Sequence, residues 1–171
     1  RARVGINTGI GSESLVQDGT EAQKRTFLPR LASGELTGAL ALTEPDAGSD
    51  AGSLATTAEP DGQGSYRING HKRYITLAPI ADLFTVFART SKGARNVDAI
   101  SAFLIERGTP GLTTSAPTPK MGQEGAPIGE VFLEDCVVSE AAIIGGRVNG
   151  GFRTMMKPLN KQRPNLAALS I

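Results

Sequence analysis

The sequence predicts a mixed α and β protein, with a β-rich middle flanked on both sides by helix. Short β-type runs succeed one another from about residue 36 to 144, and the chain's 21 glycines and 10 prolines supply turns between them. Many short strands broken by such turns read as an antiparallel barrel or sandwich. Before residue 34 and after residue 150 the apolar residues recur at helical spacing instead.

Each element has its own justification. In the first segment Thr20 and Gln23 stand three apart, a capping-box pattern. Ala22, Phe27, Leu28 and Leu31 then supply an apolar stripe, Pro29 interrupts it, and Gly34 is a stop. Candidate strands follow at 36–43, 54–58, 65–68, 71–76, 83–90, 99–106 and 130–133. Asn69-Gly70 predicts a two-residue hairpin, because both turn positions need positive φ. That hairpin sets Ile68 opposite His71, with Lys72, Tyr74 and Thr76 on one face and His71, Arg73 and Ile75 on the other. From Gly150 the helical pattern returns in Phe152, Met155, Met156, Leu159 and Leu166, with Pro158 and Pro164 as kinks.

Composition narrows the function classes. With 18 basic and 17 acidic residues the net charge is +1, which leaves no electrostatic footprint for nucleic acid. No apolar run approaches the roughly 20 residues of a membrane span. Cys136 is the one cysteine, and no basic residue neighbours it, so neither an internal disulfide nor a reactive thiol is expected. His71 is the one histidine, too few for a triad or a metal centre. Met121, Met155 and Met156 read as core filling, and Gly62-x-Gly64 is too short for a dinucleotide fingerprint. The sequence opens on Arg1 with no initiator Met and stops at Ile171 inside a helical pattern, so it is expected to be part of a longer protein.

Three segments carry chemistry. The run Leu40-Ala41-Leu42 ends abruptly in Thr43-Glu44-Pro45-Asp46-Ala47-Gly48-Ser49-Asp50. Such a turn can aim N–H groups and hydroxyls at one carbonyl-bearing or anionic ligand; on chemistry alone it is equally an Asx/Ser turn. Tyr74 and Thr76 can stack on a planar group and bond its ring nitrogen, or form a plain surface pair. Asn160 to Arg163 adds an acceptor and a fixed cation, suited to substrate positioning or an ion pair.

The order Thr43-Glu44-Pro45-Asp46-Ala47-Gly48-Ser49-Asp50 resembles the flavin-binding signature of the acyl-CoA dehydrogenases. Lys72-Arg73-Tyr74-Ile75-Thr76-Leu77 resembles the family's Lys-x-Trp-Ile-Thr-Asn, with Tyr for Trp and Leu77 for Asn. Lys120-Met121-Gly122, Ile143-Ile144-Gly145-Gly146 and Asn160-Lys161-Gln162-Arg163 match further family segments, Asn160 replacing an Asp. The resemblance implies the end of an N-terminal helical domain (1–35), a middle antiparallel β-barrel domain (36–145) and the start of a C-terminal helical domain (146–171). It implies FAD held by Leu40, Leu42, Thr43, Gly48, Ser49, Tyr74, Ile75 and Thr76, and acyl-CoA met by Ser49, Asn160 and Arg163.

The reaction so implied oxidises an acyl-CoA to the trans-2-enoyl-CoA and needs a carboxylate base. Gln162 occupies one of the two places the family uses for it, and an amide cannot take a proton. The base is therefore expected after Ile171, and none of Glu44, Asp50, Glu124 or Glu134 is assigned that role. An electron-transfer flavoprotein as acceptor, a homodimer or homotetramer, and a bacterial cytoplasm or mitochondrial matrix complete the expectation. The rivals are a flavin monooxygenase or oxidase on the same scaffold and a noncatalytic binding or assembly fragment.

Overall fold

A computed structural model describes residues 7, 10–91 and 97–168. Helices α1 (Ile10–Asp18) and α2 (Glu21–Ser33) precede strands β1 (Gly38–Ala41), β2 (Thr57–Pro60), β3 (Ser65–Thr76), β4 (Leu83–Arg89), β5 (Ile100–Glu106), β6 (Leu112–Thr114) and β7 (Ile128–Ser139). Helix α3 (Gly151–Ala168) closes the described chain.

The expected N-terminal helix is two helices. The capping box forms as read: Thr20 Oγ1 accepts the Gln23 N–H at 3.2 Å and Gln23 Oε1 accepts the Thr20 N–H at 3.0 Å. Gly34 ends α2 in the left-handed conformation. Pro29 does not interrupt the helix. It lies on an exposed side, where water can satisfy the carbonyl its missing N–H leaves over. Ala22 is exposed, and its expected core place is taken by Gln23.

The strands form one curled seven-stranded sheet ordered β1-β4-β2-β3-β7-β6, with β5 on the other side of β4. The purely antiparallel barrel expected from the sequence is not what the ladders describe. Both β1 and β2 run parallel to β4, while β4–β5, β2–β3, β3–β7 and β6–β7 are antiparallel. Strand β4 is buried from Leu83 to Ala88, Thr85 included, because both of its faces are covered. Phe84, Val86 and Ala88 enter the core inside the curl with Phe103, Ile105, Val131 and Leu133. Leu83 and Phe87 enter a second core, where Leu15, Leu31, Leu104 and Met155 join helices to sheet. Each fully buried Phe or Leu there contributes roughly 1.5–3 kcal/mol.

The Asn69-Gly70 hairpin is overturned. Strand β3 runs straight through both residues and pairs with β7 along its length. Asn69 instead brackets a bulge in β7: its Oδ1 accepts the Asp135 N–H at 2.8 Å, and Asp135 takes the positive φ of 47°. Gly70 is required by crowding, since a Cβ there would lie 2.2 Å from Thr56 Oγ1. The actual β2–β3 turn uses Asp61, whose Oδ1 accepts the Gln63 and Ser65 N–H groups, with Gly62 and Gly64 at positive φ. Met121, expected in the core, is fully exposed on the turn that Lys120 Nζ closes onto the Gln123 and Ala126 carbonyls.

Candidate functional site

The end of β1 and the C-terminal half of β3 meet at one place. The Arg73 N–H donates to the Thr43 carbonyl at 2.8 Å, and Lys72 Nζ donates to the Leu42 carbonyl at 3.3 Å. These contacts bring Leu40, Leu42 and Thr43 beside Tyr74, Ile75 and Thr76. With the Leu42 and Thr43 carbonyls engaged by β3, the groups this junction offers a ligand are N–H donors and the Thr43 hydroxyl. A flavin ring, with acceptors at N5, O4 and O2, matches that donor character.

After Thr43 the chain folds into a tight reciprocal turn: the Glu44 N–H donates to the Ala47 carbonyl at 3.0 Å and the Ala47 N–H returns to Glu44 at 3.3 Å. Ala47 packs inward, while Gly48 and Ser49 are exposed. A Cβ at Gly48 would meet nothing within 4 Å, so the backbone here faces open space that a ligand can approach closely.

The face pattern expected on β3 changes at a second bulge. Lys72 pairs with Val131 and Ile75 with Gly129, so one extra residue sits on β3 between them. Tyr74 absorbs it at φ 57° and turns outward, 61% exposed, with Ile75 buried like Lys72. Tyr74 and Thr76 therefore do not share a face by simple alternation. The flat ring is nonetheless held: the Arg73 guanidinium lies 4.9 Å from its centroid. Arg73 Nε is 3.4 Å from Glu130 Oε1, and Glu130 Oε2 bonds His71 Nε2 at 2.9 Å. His71 stacks on Phe132 at 4.6 Å between centroids, which gives the lone histidine a structural partner set. Leu77 follows at φ 65°, buried, its N–H on the Pro127 carbonyl at 2.7 Å. A left-handed position suits Asn far better than Leu, which accounts for the Asn of the matching motif.

Sequence reasoning missed the group beneath this junction. Lys72 and Glu44 form a buried ion pair at 2.7 Å, their side chains 0% and 5% exposed. Lys72 Nζ also donates to the Phe87 carbonyl at 2.7 Å. Glu44 Oε1 accepts the Thr56 N–H at 3.0 Å and the Thr56 hydroxyl, and Oε2 accepts the Ala55 N–H. Burial lowers the Lys72 ammonium to about 8 against the pull of Glu44. Burial works to raise Glu44, but Lys72 and the hydrogen bonds outweigh it and hold the carboxylate below its ordinary range. The signal available was a Lys on a strand whose neighbours alternate apolar; a charge there demands a partner.

Of the third segment, the described contacts are those of α3 with α1. Asn160 is exposed on α3, and the side chain of Arg163 lies outside the described residues, as does that of Gln162. Helix α3 is tied to α1: Lys157 Nζ bonds Asp18 Oδ1 at 2.8 Å and Lys161 Nζ bonds Glu13 Oε1 at 2.7 Å. Phe152, Met155, Met156 and Leu159 pack into the helix-side core as expected. Cys136 is buried in β7 with its thiol pushed up to about 11, so it is inert. Among the described residues no group of His, Cys, Asp and Glu is placed to hold a metal.

A curled mixed sheet with helices packed on one side, and a junction of two strand ends at its rim, defines the fold class. The acyl-CoA dehydrogenase middle-domain profile matches residues 39–136 and the N-terminal-domain profile residues 1–35. Isovaleryl-CoA dehydrogenase of Pongo abelii is 42% identical over 164 residues, covering 95% of this chain and 38% of that protein. The acyl-CoA dehydrogenase of Geobacillus kaustophilus superposes with a TM-score of 0.89 at 36% identity, over 94% of this chain and 42% of that one. An acyl-CoA dehydrogenase of Bacillus anthracis complexed with FAD superposes at 0.84 with 37% identity, over 93% and 26%. This chain belongs to the acyl-CoA dehydrogenase family, and it spans less than half the length of these relatives.

Proposed function

We propose that this chain is the FAD-holding part of an enzyme that oxidises an acyl-CoA thioester to the trans-2-enoyl-CoA. The observation that carries the reading is the joining of the Leu40–Ser49 segment to the Tyr74–Thr76 segment through the Thr43–Arg73 backbone bond. In this reading Leu42, Thr43 and Thr76 present N–H groups and hydroxyls to the ring acceptors. Tyr74 offers its exposed ring as a stacking surface, Leu40 lines the ring edge, Ile75 meets the ring through its backbone while its side chain is buried, and Gly48 and Ser49 admit the pyrophosphate. FAD, when bound, supplies a hydride acceptor at N5. Ser49, Asn160 and Arg163 then meet the acyl-CoA, and the carboxylate base comes from the family's length that this chain does not span. Residues 1–35 and 146–171 belong to the flanking helical domains, and 36–145 to the β domain. An electron-transfer flavoprotein takes the electrons from a homo-oligomer, in a bacterial cytoplasm or a mitochondrial matrix.

The test uses the full-length polypeptide that carries this sequence. Purified and incubated with FAD, it is expected to stay yellow through desalting and to bleach anaerobically with members of an acyl-CoA panel. A protein that remains colourless overturns the cofactor assignment. A yellow protein that no acyl-CoA bleaches overturns the substrate. Ser49→Ala and Thr76→Val are each expected to weaken FAD about fivefold, as one hydrogen bond of about 1 kcal/mol is lost. Unchanged affinity and reduction potential in both would make these two residues structural.

A further inference from the structure

Lys72 and Glu44 are too deeply buried to touch a substrate, yet they are wired to both halves of the proposed flavin site. An ammonium has three donors, and Lys72 spends them on Glu44 Oε1 at 2.7 Å, the Phe87 carbonyl at 2.7 Å and the Leu42 carbonyl at 3.3 Å. Glu44 is anchored in turn by the Ala55 and Thr56 N–H groups and the Thr56 hydroxyl. Thr56 is itself wedged over Gly70, where a Cβ would sit 2.2 Å from its Oγ1. Four separate stretches therefore converge on one ion pair: the end of β1, the segment before β2, β3 and β4.

A pair so fully desolvated is a poor way to gain stability, because apolar residues of the same volume commonly serve as well or better. What an apolar pair cannot do is fix a carbonyl. Lys72 holds the Leu42 carbonyl, the adjacent Arg73 N–H holds the Thr43 carbonyl, and Tyr74 comes next along the chain.

We infer that the Lys72–Glu44 pair is a positioning device that sets the gap between the Leu42–Ser49 turn and the Tyr74–Thr76 strand end, and thereby how tightly the flavin ring is held. The inference rests on the reading that both segments face FAD. Lys72 and Glu44 are positioning residues and exchange no proton with substrate.

The deciding variant is the double substitution Lys72→Met with Glu44→Gln in the full-length polypeptide. It removes the buried charges together but leaves the Leu42 and Phe87 carbonyls without their donor, so the thermal midpoint is expected to fall, and by less than in Lys72→Met alone, which also strands a buried carboxylate. FAD affinity in the double variant is expected to fall about tenfold. Without FAD, amide hydrogen exchange across 42–47 is expected to speed up about tenfold, while exchange in β5 stays unchanged. A folded double variant with parental FAD affinity and parental exchange at 42–47 overturns the inference. Glu44→Gln alone keeps the side-chain shape and, measured at a pH above about 8 where the buried Lys72 is neutral and leaves no stranded charge, serves if the double variant does not fold. Its FAD affinity is expected to fall about threefold, and parental affinity with parental exchange there is equally fatal. If the parent protein itself takes up no FAD, the functional reading fails, and the exchange comparison still decides whether the pair holds the turn.

Discussion

Single residues in this protein are chosen as much by what leans on them as by their own conformational preference. Gly70 shows this. Its φ is not in the left-handed region, yet Thr56 Oγ1, Cβ and Cγ2 lie 2.2, 2.6 and 2.6 Å from where a Cβ would stand. Thr56 cannot retreat, because Glu44 holds its hydroxyl and N–H. Gly70→Ala is therefore expected to cost about 2–3 kcal/mol in urea denaturation, the upper range for overpacking. Gly48→Ala, facing open space, is expected to leave stability unchanged within about 0.5 kcal/mol. The Asn-Gly pair is where reading the sequence went astray, and the reason is physical: each residue answers to a tertiary neighbour, Asn69 to Asp135 and Gly70 to Thr56, that the local sequence does not reveal. Leu77 makes the converse point. Its departure from the family's Asn was legible in the sequence, but the left-handed φ that gives the departure meaning was not.

Among the elements, α2 was legible because its cap is local, and its docking was not because Gln23 has a second role. Beyond the capping box, Gln23 Nε2 donates to the Ala141 and Ile143 carbonyls, both at 2.8 Å, and its Oε1 accepts the Gly145 N–H at 3.1 Å. One amide thus stitches the helix start to the end of the β region. Thr20→Ala removes only the cap and is expected to cost about 1 kcal/mol. Gln23→Ala also leaves buried backbone groups unpaired and is expected to cost about 3 kcal/mol. Gln23→Glu keeps the cap acceptor but turns a carboxylate toward two carbonyls, so it is expected to be no better than Ala. Equal losses for Thr20→Ala and Gln23→Ala in chemical denaturation would remove the stitching role. The candidate strands at 83–90 and 99–106 correspond to β4 and β5, whose sequences are mainly apolar. The parallel pairing of β1 and β2 with β4 was not readable, since an apolar run says that both faces are covered and not which way its neighbours run. The candidate site divides in the same way: its segments stood out as motifs, while the Lys72–Glu44 pair beneath them depends on a register set by a bulge.

For the whole molecule the open question is what joins its two ends, and the answer makes stability depend on pH. Asp18 accepts Lys157 Nζ and Thr154 Oγ1, both at 2.8 Å, and Glu13 accepts Lys161 Nζ at 2.7 Å, so α1 and α3 are bound across more than 130 positions of sequence. Burial works to raise Asp18, but Lys157 and Thr154 outweigh it and leave the carboxyl lowered; Lys161 and Gln17 lower Glu13. A lowered folded pKa means the unfolded chain binds more protons in the acid range. The stability these carboxylates contribute is thus fully present above their ordinary values of 3.8 and 4.5, and it is lost as pH falls through the lowered folded values. Lys72 has the same sign in an alkaline window. Its folded value of about 8 lies below the ordinary 10.5, so its own contribution rises with pH across that window. The lysine ends of the helix pairs are well exposed, so solvent screens them and each pair is worth about 1 kcal/mol or less. Asp18→Asn is expected to cost no more than about 1 kcal/mol at pH 7 and to flatten the acid limb of the stability profile. Urea denaturation of parent and variant at pH 7, 5 and 3 checks it. Parallel profiles would mean that the Asp18 carboxylate adds nothing to the joining of α1 and α3, which would then rest on Glu13–Lys161, Ser14–Thr154 and the core shared by Leu15 and Met155.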